Sequence, residues 1–340
     1  MKSVAIAGAT GAVGQELLSI LAERNFPLKS LKLLASARSA GKKIKFKGET
    51  LEVQELRHDS FEGIDLVLSS AGGSISKEYM PSAVKAGAVV VDNTSYFRMD
   101  PEVPLVVPEV NPEEIKKHKG IIANPNCSTI IMLLPLFPLY KAFGVERVHA
   151  CTYQASSGAG ATAMEELRLE SLAVAEGKTF KRTVIPYQYA FNLFPHNSPY
   201  NDGSPEKSGV HSPTGYCEEE WKMISETHKI FGDESLRVNA SCVRVPILRA
   251  HSESLNIKLS KKTSVAEIYE VLRKAPGVEI LEEPSKNRWP MPIDATGKDP
   301  VLVGRVRVDQ SQENTFDMWI VGDQIRKGAA LNAVQIAELL

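Results

Sequence analysis

Apolar residues recur through the first third of the chain in short runs separated by amphipathic stretches. Runs at Ser3–Ala7, Leu31–Ala35, Asp65–Ser69, Ala88–Val91, Leu105–Val107 and Ile121–Ala123 predict strands. Between the first two, Gln15–Glu23 predicts a helix with Leu17, Leu18 and Leu21 facing inward. This βαβ rhythm implies a mainly parallel sheet covered by helices. Beyond Cys127 the strands lengthen and become β-branched, at Val145–Tyr153, Leu236–Val245, Leu255–Leu259, Val301–Val308 and Thr315–Val321, as in an antiparallel sheet of a second domain. A Pro-, Asn- and Ser-rich stretch from Pro186 to Pro213 interrupts it before a helix near Glu218–Ile230. Lys327 to Leu340 reads as a closing helix, with Ala330, Leu331, Val334, Ile336 and Leu339 as its apolar positions.

The 340 residues suit about two domains. Forty Lys and Arg against 41 Asp and Glu leave a net charge of −1, so the protein has no global field for a polyanion, and neither nucleic acid nor a membrane surface is an expected partner. The most apolar run, Ile130 to Tyr140, is too short for a membrane span and holds Pro135 and Pro138; it reads as a buried core element. The early residues lack a secretory pattern, because Thr10, Gly11, Gly14 and Glu16 break the apolar stretch, so a cytoplasmic location is expected. Cys127, Cys151, Cys217 and Cys242 are too sparse for a disulfide scaffold and none pair at CxxC spacing; with the histidines scattered, no metal site is expected.

Four constellations carry candidate chemistry. Gly8-Ala-Thr-Gly-Ala-Val-Gly14 lies between a strand and a helix, where glycines let the backbone approach a pyrophosphate at a helix N-terminus. The alternative is a ligand-free strand–helix turn. At the end of the next strand, Ala35 to Lys42 offers no acid for ribose hydroxyls; Arg38 with Ser36 and Ser39 suits a 2′-phosphate instead and points to NADP, against a solvated basic loop. In Asn124-Pro-Asn-Cys-Ser-Thr129, Pro125 ends an extended segment and a helix follows, so Cys127 falls near a helix N-terminus, which favours a nucleophilic thiolate. Cys151 and Cys242 read as packing residues. Finally, Arg244-Val-Pro-Ile-Leu-Arg-Ala-His251 joins an Arg able to hold a carboxylate to a His able to act as an acid–base, the sole candidate among seven His.

These motifs, with Tyr153-Gln-Ala-Ser-Ser-Gly-Ala-Gly160, Glu218-Glu-Glu-Trp-Lys222 and Gly322-Asp-Gln-Ile-Arg-Lys-Gly-Ala-Ala330, run in order through almost the whole chain, and together they resemble the aspartate-β-semialdehyde dehydrogenases of the bacterial type. The resemblance implies an α/β fold with a Rossmann-type parallel-sheet NADP domain (1–127 and 325–340) and an α+β catalytic and dimerisation domain (128–324) with a mainly antiparallel or mixed sheet. It implies NADP- and phosphate-dependent interconversion of L-4-aspartyl phosphate and L-aspartate 4-semialdehyde in a homodimer, leading to lysine through diaminopimelate, methionine and threonine. Cys127 resembles the thioester-forming nucleophile, His251 the acid–base catalyst and Gln154 the residue orienting the acyl group. Arg244 resembles the clamp on the α-carboxylate and Glu219 the partner of the α-amino group; Arg98 and Lys222 map to the phosphate pocket, and Asn126 to a substrate contact. Cofactor contacts map to Gly8, Thr10, Gly11, Ala12, Val13, Ser36, Arg38, Ser39, Ser157, Gly158 and Gln324.

Three acids in a row leave the register of the functional carboxylate open, though Glu219 shares a helix face with Lys222. For Glu219, Lys222, Arg98 and Arg244 the bland alternative is a structural ion pair, and for Gln154 a strand-end cap. Two rival functions remain: an N-acetyl-γ-glutamyl-phosphate reductase, against which the acidic cluster argues because that substrate has no free amine, and a non-catalytic nucleotide-binding paralogue, against which the joint presence of Cys127, Gln154, Arg244 and His251 argues.

Overall fold

The computed structural model describes residues 1–204 and 212–340, and the chain divides into two compact units, Met1–Asn126 with Gly328–Leu340, and Cys127–Lys327. Residues 205–211, part of the expected Pro186–Pro213 loop, lie outside the described residues.

The first unit is built on β1 (Lys2–Ala7), α1 (Ala12–Glu23), β2 (Leu28–Ala35), β3 (Lys43–Phe46), β4 (Glu49–Glu55), β5 (Leu66–Ser69), α2 (Gly73–Lys85), β6 (Val89–Asp92) and β7 (Ile121–Ala123). Its sheet has the order β3-β4-β2-β1-β5-β6-β7, parallel except for the β3–β4 hairpin. From β1 the chain winds out through β2 on one side and through β5 to β7 on the other, so the β1–α1 turn opens at the point where strand order reverses, where α/β sheets take ligands. Leu17, Leu18 and Leu21 of α1 are buried as expected and pack with Ile6, Leu33 and Leu68 of the strands and Val334 and Ile336 of the C-terminal helix.

Two expectations for this unit need correction, and one element is additional to them. Leu105–Val107 is no strand: it makes a single bridge, Leu105 to Ala123, after which the Val107 N–H bonds Asn111 Oδ1 at 2.9 Å. Pro104 and Pro108 bracket the segment and remove two ladder donors. The β3–β4 hairpin was not anticipated; Lys47 (φ 46°) and Gly48 (φ 87°) both take positive φ, as a two-residue turn of this hand requires. The terminal helix is also shorter than Lys327–Leu340: a π-helical turn, Arg326–Ala330, precedes a helix of Leu331–Glu338.

The second unit opens with α3 (Cys127–Phe143), followed by β8 (Val145–Gln154), α4 (Ala161–Ala175), β9 (Phe194–Pro195), α5 (Glu218–Phe231), β10 (Arg237–Arg244), β11 (His251–Leu259), α6 (Val265–Leu272), β12 (Val278–Ile280), α7 (Pro292–Ala295), β13 (Val301–Val308) and β14 (Thr315–Gly322). The sheet order is β12-β13-β14-β11-β8-β10-β9, and it is mixed: β8–β10 and β12–β13 are parallel, the other pairs antiparallel. The parallel β8–β10 pair follows from the long crossover through α4 and α5. Ile130 through Leu134 and Leu136 of α3 are buried on every side of the helix, which makes it a core element despite Pro135 and Pro138.

Register fixes what shares a sheet face. Arg244 of β10 lies opposite Gln154 of β8, and Tyr153 opposite Ser252 of β11, so Arg244, Gln154, His251 and Glu253 point to one side by the period of two. The segment after α4 is tied down by carboxylates: Glu166 accepts from the N–H groups of Thr183 (2.6 Å), Val184 (3.0 Å) and Ile185 (2.9 Å), and Glu170 from those of Tyr189 (2.8 Å) and Ala190 (2.9 Å).

Candidate active site

In the first unit the glycine loop has the shape its spacing predicts. Gly8 takes φ +88°, and a Cβ there would lie 2.7 Å from Ser70 O; a Cβ on Gly14 would lie 2.3 Å from Gly8 O. Both positions are closed to any side chain, and the closeness of the Gly14 backbone lets α1 begin directly against β1. Gly11 precedes α1 with no side-chain cap, which leaves the first-turn N–H groups of Ala12 and Val13 to an anion. Ser36 follows β2 in extended conformation, Ala37–Ser39 forms a single helical turn, and Arg38 is exposed while Ser39 is buried. Arg98 is buried; its Nε donates to Asn124 O at 2.9 Å and its Nη2 to Asn93 O at 2.8 Å, so the chain before Cys127 holds its guanidinium. Asn126 is buried at the end of this unit.

In the second unit Cys127 is the first residue of α3 and is half-buried, the place expected for a thiol at a helix N-terminus. Its neighbour Ser128 accepts from Gln154 Nε2 at 3.1 Å, and the same amide reaches Glu219 Oε1 at 3.3 Å. Gln154 is 1% exposed, so its amide depends on these partners. The next residue, Ala155, donates its N–H to His251 Nδ1 at 3.0 Å, and its carbonyl accepts from Arg244 Nη1 at 3.1 Å. Arg244 Nε reaches Asn197 Oδ1 at 3.3 Å. The end of β8 therefore connects the start of α3, α5, β10 and β11.

Three consecutive acids take different roles on α5. Glu219 is buried and faces Gln154, whereas Glu220 accepts from the N–H groups of Cys217 and Cys242, both at 3.1 Å. Glu218 and Glu219 lie 3.8 and 3.7 Å from Lys222 Nζ, loose pairs that leave the ammonium available to an anion.

Burial dominates the electrostatics. Loss of solvent, with the Arg244 cation nearby, pulls His251 down to about 3, and its Nε2 has no hydrogen-bond partner among the described residues. Glu253, two residues along β11, has no partner for either carboxyl oxygen among the described residues, and burial, with the charge of Glu219, pushes it well above the ordinary range. Gly158 lies against this cluster: a Cβ there would stand 3.0 Å from Arg244 Nη1 and 3.3 Å from His251 Nε2. Ser157 is buried and its hydroxyl accepts from Gln324 Nε2, while Gln324 Oε1 accepts the Ala250 N–H at 2.9 Å.

The structure thus brings Gln154, Glu219, Lys222, Arg244, His251 and Gly158 together in the second unit with Cys127 at its first position. Sequence reasoning missed Asn197, Glu253 and His196. Burial brings His196 to about 4, and Glu219, Arg244 and Lys222 act on it, although no motif singled it out. Asn197 sits in a stretch where polar residues read as loop, and Glu253 in a strand where a lone acid reads as exposed. Among the described residues no group of three or more His, Cys, Asp and Glu is placed to hold a metal, and no helix is long and apolar enough to cross a membrane.

Residues 3–118 match the semialdehyde dehydrogenase NAD-binding domain, and residues 136–327 the semialdehyde dehydrogenase dimerisation domain. Over 337 residues the chain is 56% identical to an aspartate-semialdehyde dehydrogenase of Synechocystis sp., covering 99% of this chain and 96% of that protein. A Bacillus subtilis aspartate-semialdehyde dehydrogenase is 48% identical over 99% of this chain and 96% of its own length. Among solved structures, aspartate semialdehyde dehydrogenase II of Vibrio cholerae complexed with ASA superposes with a TM-score of 0.94 at 44% identity, covering 100% of this chain and 98% of that one. Aspartate semialdehyde dehydrogenase of Candida albicans with NADP gives a TM-score of 0.73 at 26% identity over 100% and 98% of the two chains.

Proposed function

Since the chain belongs to the aspartate-semialdehyde dehydrogenase family, oxidoreductases with an NAD-binding domain, we infer that it interconverts L-4-aspartyl phosphate and L-aspartate 4-semialdehyde with NADP and inorganic phosphate, through a thioester on Cys127. The reading includes a cytoplasmic homodimer that serves lysine, methionine and threonine synthesis. The observation that carries it is the pairing of Glu219 with Gln154 at 3.3 Å, beside the buried Arg244. A buried anion and a buried cation flanking one amide suit an ammonium and a carboxylate on the same small substrate. An N-acetylated glutamyl substrate has no ammonium for Glu219, and its desolvated carboxylate would then face an uncharged amide.

The residues present suit NADP. The β1–α1 turn admits no Cβ at Gly8 or Gly14, which leaves backbone N–H groups for the pyrophosphate. Arg38, with the hydroxyls of Ser36 and Ser39, suits the 2′-phosphate, while Thr10 to Val13, Ser157, Gly158 and Gln324 complete the assigned contacts. When bound, the reduced nicotinamide supplies the hydride that turns a thioester into an aldehyde.

The chain's own groups do the rest. Arg244 holds the α-carboxylate and Glu219 the α-ammonium, so the acyl carbon is fixed relative to Cys127 and Gln154 orients its oxygen. Cys127 attacks the acyl phosphate and the C–O bond to phosphate breaks, leaving the thioester; Lys222 and Arg98 receive the departing dianion, and Asn126 contacts the substrate beside the thiol. His251 serves as the acid–base catalyst, exchanging a proton with the reacting groups. Turnover of L-aspartate 4-semialdehyde and of N-acetyl-L-glutamate 5-semialdehyde, each with NADP and phosphate, tests the assignment: preference for the first is expected, and preference for the second transfers the protein to the other substrate class. NADP binding with turnover of neither indicates a non-catalytic paralogue.

A further inference from the structure

Three consecutive residues outside the sequence motifs, His196, Asn197 and Ser198, engage the two elements whose charged side chains the proposed mechanism gives to the substrate's polar ends. They follow β9, whose Phe194 and Pro195 pair with Arg244 and Val243 of β10, and the His196 N–H extends that pairing to Cys242 O at 2.9 Å. The chain then turns, with the Ser198 N–H donating to His196 Nδ1 at 3.1 Å. On one side of the turn Asn197 Oδ1 accepts from Arg244 Nε at 3.3 Å, while Ala155 O accepts from Nη1 at 3.1 Å. A planar guanidinium held through these two nitrogens presents Nη2 in a fixed direction. On the other side the Ser198 hydroxyl accepts the Glu219 N–H at 3.1 Å, and Pro199 O accepts the Glu218 N–H at 2.8 Å. The first N–H groups of α5, which have no partner within the helix, are thereby tied to this segment. The His196 ring lies near enough to Glu219, Arg244 and Lys222 for all three charges to act on it.

Resting on the reading of Arg244 as the holder of the α-carboxylate and Glu219 as the holder of the α-ammonium, we propose that His196, Asn197 and Ser198 form a bracket that sets the separation and direction of those two groups, with Asn197 the positioning residue of the carboxylate side and Ser198 that of the ammonium side. An α-amino acid carries both groups on one carbon, so a strand residue and a helix residue must be kept at one short spacing, within about 0.5 Å of the productive geometry. Cys242 of β10 is the fixed point: its N–H donates to Glu220 of α5 at 3.1 Å, and its carbonyl accepts from the bracket at His196. From there one arm of the bracket reaches Arg244 and the other the backbone of Glu219. Each arm therefore serves one end of the substrate, and a ligand lacking that end is indifferent to the arm.

Affinities for three aldehydes test this: L-aspartate 4-semialdehyde, 4-oxobutanoate, which lacks the amine, and 3-aminopropanal, which lacks the carboxylate. Each is measured as KM where the compound turns over with NADP and phosphate, and as Ki against the full substrate where it does not. Asn197 is exposed and Ser198 half-buried, so replacing either by Ala opens no core cavity. Asn197→Ala is expected to weaken the full substrate and 4-oxobutanoate by about threefold or more and to leave 3-aminopropanal unchanged. Ser198→Ala is expected to weaken the full substrate and 3-aminopropanal to a similar degree and to leave 4-oxobutanoate unchanged. Any other pattern overturns the proposal, above all an equal loss for all three compounds, which is what a merely loosened loop produces, or no loss for any. Should Asn197→Ala fail to fold, Asn197→Asp is expected to give the same pattern, because its added anion competes with a carboxylate for Arg244; Ser198→Gly replaces Ser198→Ala in the same way. The wild type separates this proposal from the reading beneath it: if it binds either truncated aldehyde as tightly as the full substrate, the assignment of the two holding groups fails, and the bracket with it.

Discussion

The amide of Gln154 lies 3.3 Å from the carboxylate of Glu219, which ties together two side chains to which the proposed mechanism gives the acyl group and the substrate's amine. Both are buried, so the bond is shielded from water and from salt. Glu219→Gln keeps the shape and removes the charge, and a charge-assisted bond to the substrate ammonium contributes about 1.5–3 kcal/mol. The expected outcome is a rise of roughly ten- to hundredfold in KM for L-aspartate 4-semialdehyde, with a smaller effect on kcat, read from steady-state kinetics. An unchanged KM would remove Glu219 from the amine site and return the question to Glu218.

Gly158 tests how tightly the site is assembled. It is exposed and its φ lies outside the left-handed region, so Gly158→Ala costs the fold little. The new methyl nevertheless meets Arg244 Nη1 at 3.0 Å and His251 Nε2 at 3.3 Å. Displacing either group by a few tenths of an ångström is expected to lower kcat/KM by about tenfold or more while the melting temperature stays near wild type. Equal activity would mean the imidazole and guanidinium yield to the methyl without leaving their working positions.

Arg38 is expected to choose the cofactor. It is exposed at the end of β2, with no acidic residue in the turn that follows. Arg38→Leu removes the cation while leaving the turn intact, so affinity for NADP should fall by roughly tenfold or more and affinity for NAD should change little, as measured by fluorescence titration of the two reduced cofactors. Equal losses for both would assign Arg38 to the shared part of the dinucleotide.

The Glu166 tether carries a pH dependence. Burial alone would raise its pKa, but the hydrogen bonds from Ile185, Thr183 and Val184 outweigh it and hold the carboxyl below the ordinary value of 4.5. A group whose folded pKa is depressed contributes stability that is fully present above its unfolded pKa and lost as pH falls through the folded one. Hydrogen exchange at Thr183 to Ile185 is therefore expected to be slow from neutral pH down to about 4.5 and to accelerate below it. In Glu166→Gln the same amides should exchange faster already at pH 7, because the amide side chain has one acceptor oxygen where the carboxylate has two.

How much of this was written in the sequence differs from element to element. The β1–α1 turn was legible because two of its three glycines are a steric necessity: at Gly8 and Gly14 no side chain fits. The acidic run on α5 was partly legible, since a three-residue spacing puts Glu219 and Lys222 on one face, but only the fold shows that Glu220 is turned toward Cys217 and Cys242. Leu105–Val107 misled because three apolar residues outweighed the prolines on either side, and a segment whose Val107 N–H is spent on Asn111 cannot extend a ladder. Lys43 to Phe46 alternates polar and apolar residues before Lys47-Gly48, a hairpin signal that was present and unread. Asn197, His196 and Glu253 were beyond reach, because their significance comes from burial and from neighbours distant along the chain.

The central claim is that Cys127 carries the substrate as a thioester that only phosphate releases. Mixing the enzyme with L-aspartate 4-semialdehyde and NADP in the absence of phosphate, then following NADPH absorbance and the intact protein mass, tests it most directly. The expected result is one NADPH per active site in a single burst, an aspartyl adduct that peptide mapping places on Cys127, and continuous turnover once phosphate is added. Steady turnover without phosphate, an adduct on another residue, or a full burst in Cys127→Ala would contradict it.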